Sequence, residues 1–116
     1  MTAAEDCLFC KIVAGDIPAE VVHESDTVLA FRDLNPQAPT HVLVVPRSHH
    51  ANAAELATAE PATVADLVSA AAKVADDDGL DEQYRLVFNT GADSGQTVFH
   101  THLHLLGGRS FTWPPG

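Results

Sequence analysis

Apolar residues recur along the chain in two periods, and each change of period marks an element. Leu8, Phe9, Ile12 and Val13 repeat at the spacing of one helix face, with Asp6 placed to cap that helix and Gly15-Asp16 ahead of Pro18 to end it. Val21-Val22-His23-Glu24 and Thr27-Val28-Leu29-Ala30-Phe31-Arg32 are rich in strand formers and flank Ser25-Asp26, which predicts a hairpin. Asn35-Pro36-Gln37-Ala38-Pro39 cannot continue a strand, because proline offers no ladder donor, so a loop precedes the buried strand His41 to Pro46. From Pro61 to about Asp78, Val64, Leu67, Val68, Ala71 and Ala75 form one helical stripe that covers the sheet. Asp76-Asp77-Asp78 are unfavourable beside the negative end of a helix dipole, which predicts fraying, a stop at Gly79 and three acids that are only solvated surface. Tyr84 to Asn89 and Thr101 to Leu106 complete five strands and two helices, contiguous enough for an antiparallel meander; the fold class is α+β. No repeat, low-complexity tract or composition shift divides the chain, so residues 1–116 read as a single domain.

Composition narrows the partners. A hydrophobic fraction of 46% with 19% charged residues suits a globular core that needs no disulfide staple. Six basic residues against sixteen acidic ones give a net charge of -10, and the six are dispersed, so no basic cluster can neutralise a run of phosphates. Nucleic-acid binding is therefore not expected. The acidic start Met1 to Asp6 lacks an apolar leader segment, and no apolar run approaches the roughly 20 residues a bilayer requires, so the expectation is a soluble cytoplasmic protein without a membrane partner. In that setting the pair Cys7 and Cys10, spaced C-x-x-C, points to metal or redox chemistry rather than to a structural bridge.

The chemistry concentrates in His100-Thr101-His102-Leu103-His104. On a strand, side chains alternate, so three of the seven histidines share one face while Thr101, Leu103 and Leu105 take the other. One metal ion cannot hold all three. His100 and His104 root about 13 Å apart at ~3.3 Å per residue, whereas an imidazole and its metal bond reach only about 6 Å. Two of them with a ligand from elsewhere keep metal-dependent hydrolysis open. The other chemistry is nucleophilic attack at phosphorus, where a neutral imidazole meets an anionic target without charge repulsion. His102, in the middle, is the natural nucleophile, and crowding by its neighbours lowers an ordinary pKa of about 6.5. Upstream, Asn89-Thr90-Gly91-Ala92-Asp93-Ser94-Gly95-Gln96-Thr97-Val98 brings amide, hydroxyl and backbone N–H donors that can cradle a phosphate without lysine, though such a stretch can equally be only a turn.

The alternating run His100-Thr101-His102-Leu103-His104-Leu105-Leu106 resembles the signature of the histidine triad (HIT) superfamily. Asp33-Leu34-Asn35-Pro36-Gln37-Ala38-Pro39-Thr40-His41, Gly95-Gln96-Thr97-Val98-Phe99, Gly107-Gly108-Arg109 and Trp113-Pro114-Pro115-Gly116 extend the resemblance, which is to the Hint branch, over nearly the whole chain. It implies a homodimeric purine nucleoside phosphoramidate hydrolase whose two sheets join into ten strands. His102 would attack the α-phosphorus of a purine nucleotide substrate, expel an amine and leave a nucleotidyl-histidine for water to cleave.

The resemblance also assigns roles. His104, Thr97, the Val98 backbone N–H and Asn89, with Gly95 in the same loop, would hold the phosphate; Asp33 would accept from the ribose hydroxyls. His41 and His100 would orient the neighbouring rings. Phe9, Ile12, Ile17 and Leu34 match a purine slot, although residues at such spacing are otherwise core. Trp113 would reach a partner's active site, or else serve as a docking anchor. Cys7, Cys10, His49 and His100 match the ligands of a structural zinc found in some members, with His50 as the competing third ligand and a metal-free reduced pair as the alternative. Such a zinc would not be the catalyst, since His102 is not a ligand. Thr97 stands where serine is common, and Thr101 replaces an aliphatic residue. A nucleotide-binding regulatory or scaffold protein with little turnover, or a dinucleotide hydrolase or transferase of HIT type, is the remaining alternative.

Overall fold

The computed structural model describes residues 6–116; the N-terminal stretch read above as lacking a leader lies mostly outside the described residues. In chain order the elements are α1 (Leu8–Val13), β1 (Val21–Glu24), β2 (Val28–Arg32), β3 (Thr40–Pro46), α2 (Ala53–Ala59), α3 (Pro61–Asp77), β4 (Tyr84–Val87), a short 3-10 turn (Ala92–Ser94) and β5 (Leu103–Gly107). The five strands form one antiparallel sheet, as expected, but not the meander expected of it, since their order is β1-β2-β3-β5-β4. Only the first three follow the chain. β3 and β4 both run antiparallel to β5 and hence parallel to each other, because α2 and α3 carry the chain back across one face; β5 fills the gap.

Side-chain alternation gives the sheet two cores. Ala30, Val42, Val44, Leu103 and Leu105 face α2 and α3, where Leu56, Leu67, Ala71 and Val74 meet them. Leu29, Phe31, Leu43 and Val45 face the other way, against Phe9 and Cys7. β3 is buried along its whole length, covered on both faces.

Four other sequence expectations need correction. α1 is capped by Cys7 rather than Asp6: its Sγ accepts from the Cys10 N–H. A third helix, α2, buries only Leu56 and so shows no apolar stripe, although Asn52 accepting from the Glu55 N–H is a legible cap. On α3 the buried row takes in Ala70 and Val74 beside Leu67, Ala71 and Ala75, while Val68 is 43% exposed. Finally, Asp78 is not merely solvated. At the end of α3 its carboxylate accepts a forked pair from Arg32, at 2.7 and 3.0 Å, and a third bond from the Thr40 hydroxyl at 2.8 Å. A cation thus sits at the helix C-terminus, opposite to the fraying expected of three bare acids.

Candidate active site

β5 pairs with β3 from Leu103 opposite Val44, so the ladder begins later than the sequence suggests. Before it, Thr101 turns to the segment after β3, donating from its N–H and its hydroxyl to the His50 carbonyl at 2.8 and 3.0 Å. The alternation survives. His104, opposite Leu43, faces α1; the His102 ring lies 5.0 Å from that of His104 and 5.0 Å from Phe9, and the His100 ring lies 6.0 Å from Phe9.

Neighbouring groups fix which nitrogen of each ring carries the proton. His102 Nδ1 is 2.8 Å from the His100 carbonyl, which can only accept, so Nδ1 bears the hydrogen and Nε2 of the neutral ring keeps its lone pair. The Gln37 N–H donates to His41 Nδ1 at 3.0 Å, so His41 carries its proton on Nε2. That nitrogen lies 2.9 Å from His104 Nδ1 and 3.4 Å from an Asp33 oxygen. His104 Nδ1 therefore accepts, and its own proton stands on Nε2. Adjacent rings then differ: one offers a lone pair and the other an N–H. Burial lowers the pKa of His102, pushes that of His104 down to about 4 with help from the His102 and His41 rings, and lowers that of His41 against the opposing Asp33 carboxylate. All three are neutral near pH ~7.

His102 and His104 open onto a cleft of about 310 Å³. Phe9, Ile12, Ile17 and Leu34 form its apolar wall; Asp33, Thr97 and Val98 complete the rim near the imidazoles. Arg32 is the one cation among the lining residues, and it is committed to Asp78. His41 stands behind His104 rather than in the cleft. Asn89 packs beside Gly95, whose φ of +105° suits glycine; neither lines the cleft. Trp113 is 84% exposed and also lies outside the cleft lining.

Sequence reasoning counted Gln96 only as one member of the donor-bearing loop, yet this amide is buried at 3% exposure and ties that loop together. It accepts from the Gly91 N–H at 2.9 Å and donates to the carbonyls of Ala51 and Val98 at 2.7 and 3.0 Å. Nothing in its local pattern distinguishes it from an exposed loop glutamine.

His100 points away from the cleft. Its Nε2 donates to the Pro46 carbonyl at 2.9 Å, which leaves Nδ1 bare toward the cysteines. That atom lies 3.5 Å from Cys7 Sγ, 3.4 Å from Cys10 Sγ and 3.1 Å from His49 Nδ1, and Cys10 Sγ lies 3.3 Å from His49 Nδ1. Tetrahedral zinc places neighbouring sulfur and nitrogen donors about 3.3–3.8 Å apart, so this Cys2His2 set fits the ion. Burial and the adjacent Cys7 push the Cys10 thiol up to about 11, so paired thiolates here call for a cation. His50 instead meets a Glu60 oxygen at 2.6 Å.

The HIT domain family model matches residues 14–111. The chain belongs to the HIT domain family. Within it, the chain is 41% identical over 107 residues to the purine nucleoside phosphoramidase of Escherichia coli, covering 91% of this chain and 90% of that one. It is 46% identical over 112 residues to a 14 kDa zinc-binding protein of Zea mays, at 94% and 87% coverage. Among solved structures, a HIT family hydrolase from Legionella pneumophila superposes with a TM-score of 0.90 at 52% identity, covering 95% of this chain and 99% of that one. The HIT fold here is one sheet with three helices among the described residues, none of them long and apolar enough to cross a membrane.

Proposed function

We propose that this HIT protein hydrolyses purine nucleoside 5'-phosphoramidates through a nucleotidyl-His102 intermediate. The observation that carries the reading is the 2.8 Å bond from His102 Nδ1 to the His100 carbonyl, which leaves Nε2 unprotonated at the cleft. The Nε2 lone pair forms a bond to the α-phosphorus as the P–N bond breaks, and the departing amine takes a proton from solvent. Water then attacks the same phosphorus and gives one proton back to solvent, the P–Nε2 bond breaks with its electron pair returning to Nε2, and a nucleoside monophosphate leaves. His104 Nε2–H, the Thr97 hydroxyl and the Val98 N–H are the donors for the phosphate oxygens, Asp33 is the acceptor for the ribose, and the Phe9, Ile12, Ile17 and Leu34 wall takes the purine. Cys7, Cys10, His49 and His100 would hold a structural zinc that fastens α1, and hence the apolar wall, beside the nucleophile. The E. coli relative's phosphoramidase name and the maize relative's zinc-binding name support these two assignments.

We also assign a homodimer, in which the β4 edges of two copies continue the sheet to ten strands and Trp113 serves the partner's cleft. In support, β4 is one of the two sheet edges and Trp113 is outside its own chain's cleft. The test of function is incubation with an adenosine 5'-phosphoramidate. Amine should be released and a nucleotidyl adduct trapped on the wild type, while His102→Ala should lose at least ~1000-fold in turnover. Equal turnover by the two proteins would discard the mechanism; tight nucleotide binding with no adduct would point to a binding role instead.

A further inference from the structure

The Gly107-Gly108-Arg109 motif has no part in the chemistry above, and its surroundings give it one. A Cβ on Gly107 would meet Leu80 Cδ1 at 2.5 Å, and one on Gly108, whose φ is +90°, would meet Pro39 Cβ at 2.8 Å. The chain leaving β5 is therefore pressed against Leu80, which follows α3, and against Pro39 in the loop between β2 and β3, and the next residue, Arg109, donates from Nε to the Gln37 carbonyl at 3.0 Å. Its guanidinium is held in place by a second bond, to the Ser110 carbonyl at 3.0 Å, and by the Phe111 ring 4.2 Å away. Gln37 is the residue whose N–H donates to His41 Nδ1. The rest of that loop is tied locally: Asp33 accepts from the Asn35 N–H at 2.8 Å, and the Gln37 side chain donates to the Asn35 carbonyl at 3.0 Å.

We propose that Arg109 is a positioning residue for the imidazole pair: by holding the Gln37 carbonyl it keeps the Gln37 N–H on His41 Nδ1, and so keeps the His104 proton on Nε2, facing the cleft. The chain of donors runs Arg109, Gln37, His41, His104, and because a backbone N–H only donates, losing the Gln37–His41 link would leave the proton placement in both rings free to reverse. In the reversed state His104 would present a lone pair to an anionic phosphate instead of an N–H. The kinetic part of this inference rests on the hydrolase reading above, but the proton placement does not.

The test uses Arg109→Met, which keeps an unbranched side chain and removes the donor, with Arg109→Ala alongside and Arg109→Lys as the conservative variant. Long-range proton–nitrogen correlation spectra of the nitrogen-15-labelled, substrate-free protein report which nitrogen of His41 and His104 is protonated. Wild type should show Nε2–H on both. The Met variant should show mixed or Nδ1–H signatures, and kcat for a phosphoramidate should fall about fivefold with KM little changed, the loss of one positioning hydrogen bond. Lysine should restore most of both readouts. Wild-type-like His41 and His104 signatures in a folded Met variant would overturn the inference whatever the rates, and so would a rate loss not accompanied by a tautomer change. If Ala unfolds, Met alone decides. Should wild type show no phosphoramidase turnover at all, the hydrolase reading fails while the spectra still judge Arg109.

Discussion

The nucleophile assignment reduces to one carbonyl. A protein carbonyl cannot donate, so the His100 oxygen dictates the proton on His102 Nδ1, and neutrality then leaves one free lone pair. Burial protects that state, which makes pH the most direct probe. The His104 imidazole takes up its proton at about 6.5 when exposed in the unfolded chain and only near about 4 in the folded one. Between those values the unfolded state holds more protons, so stability rises with pH; the contribution is whole above about 6.5 and is lost as pH falls to about 4. Urea midpoints should drop steadily over that window, and less steeply in His104→Asn. Turnover should fall on the same acid side, because protonating His102 Nε2 removes the attacking pair. That the His102 and His104 rings stand side by side was legible in the alternating histidines. Which proton sits where was not, because it depends on Pro46, Gln37 and the His100 carbonyl, contacts with no sequence period.

Among the elements, the strands were readable from their runs of strand-forming residues, and α1 from Leu8, Phe9, Ile12 and Val13 at helical spacing, although Phe9 alone of the four is fully buried. α2 was hidden because seven residues with a single buried leucine carry no stripe, and the place of β5 between β3 and β4 was hidden because strand order follows from the helical crossover. The end of α3 misled for a different reason: a run of three acids looks solvated until Arg32, forty-odd residues earlier, is brought to it. Asp78→Ala should therefore destabilise the protein by about 2 kcal/mol, read from urea denaturation, since it strips a partly buried guanidinium and the Thr40 hydroxyl of their acceptor. The same change at Asp76 should cost at most ~0.5 kcal/mol.

At the scale of the molecule, the cysteine cluster and the cleft share α1: Cys7 and Cys10 belong to one, Phe9 and Ile12 to the other. Removing zinc with a chelator should lower the melting temperature and raise KM for the nucleotide more than it lowers kcat, with the His102 adduct still forming; metal analysis before and after, alongside both constants, checks this. Light scattering should give twice the chain mass for the intact protein. The commitment of Arg32 to Asp78 has a wider consequence. With the cleft's one cation already paired and a net charge of -10 around it, an anionic nucleotide approaches uphill through a repelling field. Added salt shortens the reach of that field, so capture of substrate should quicken as ionic strength increases, the reverse of an enzyme that draws in its anion with a ring of lysines.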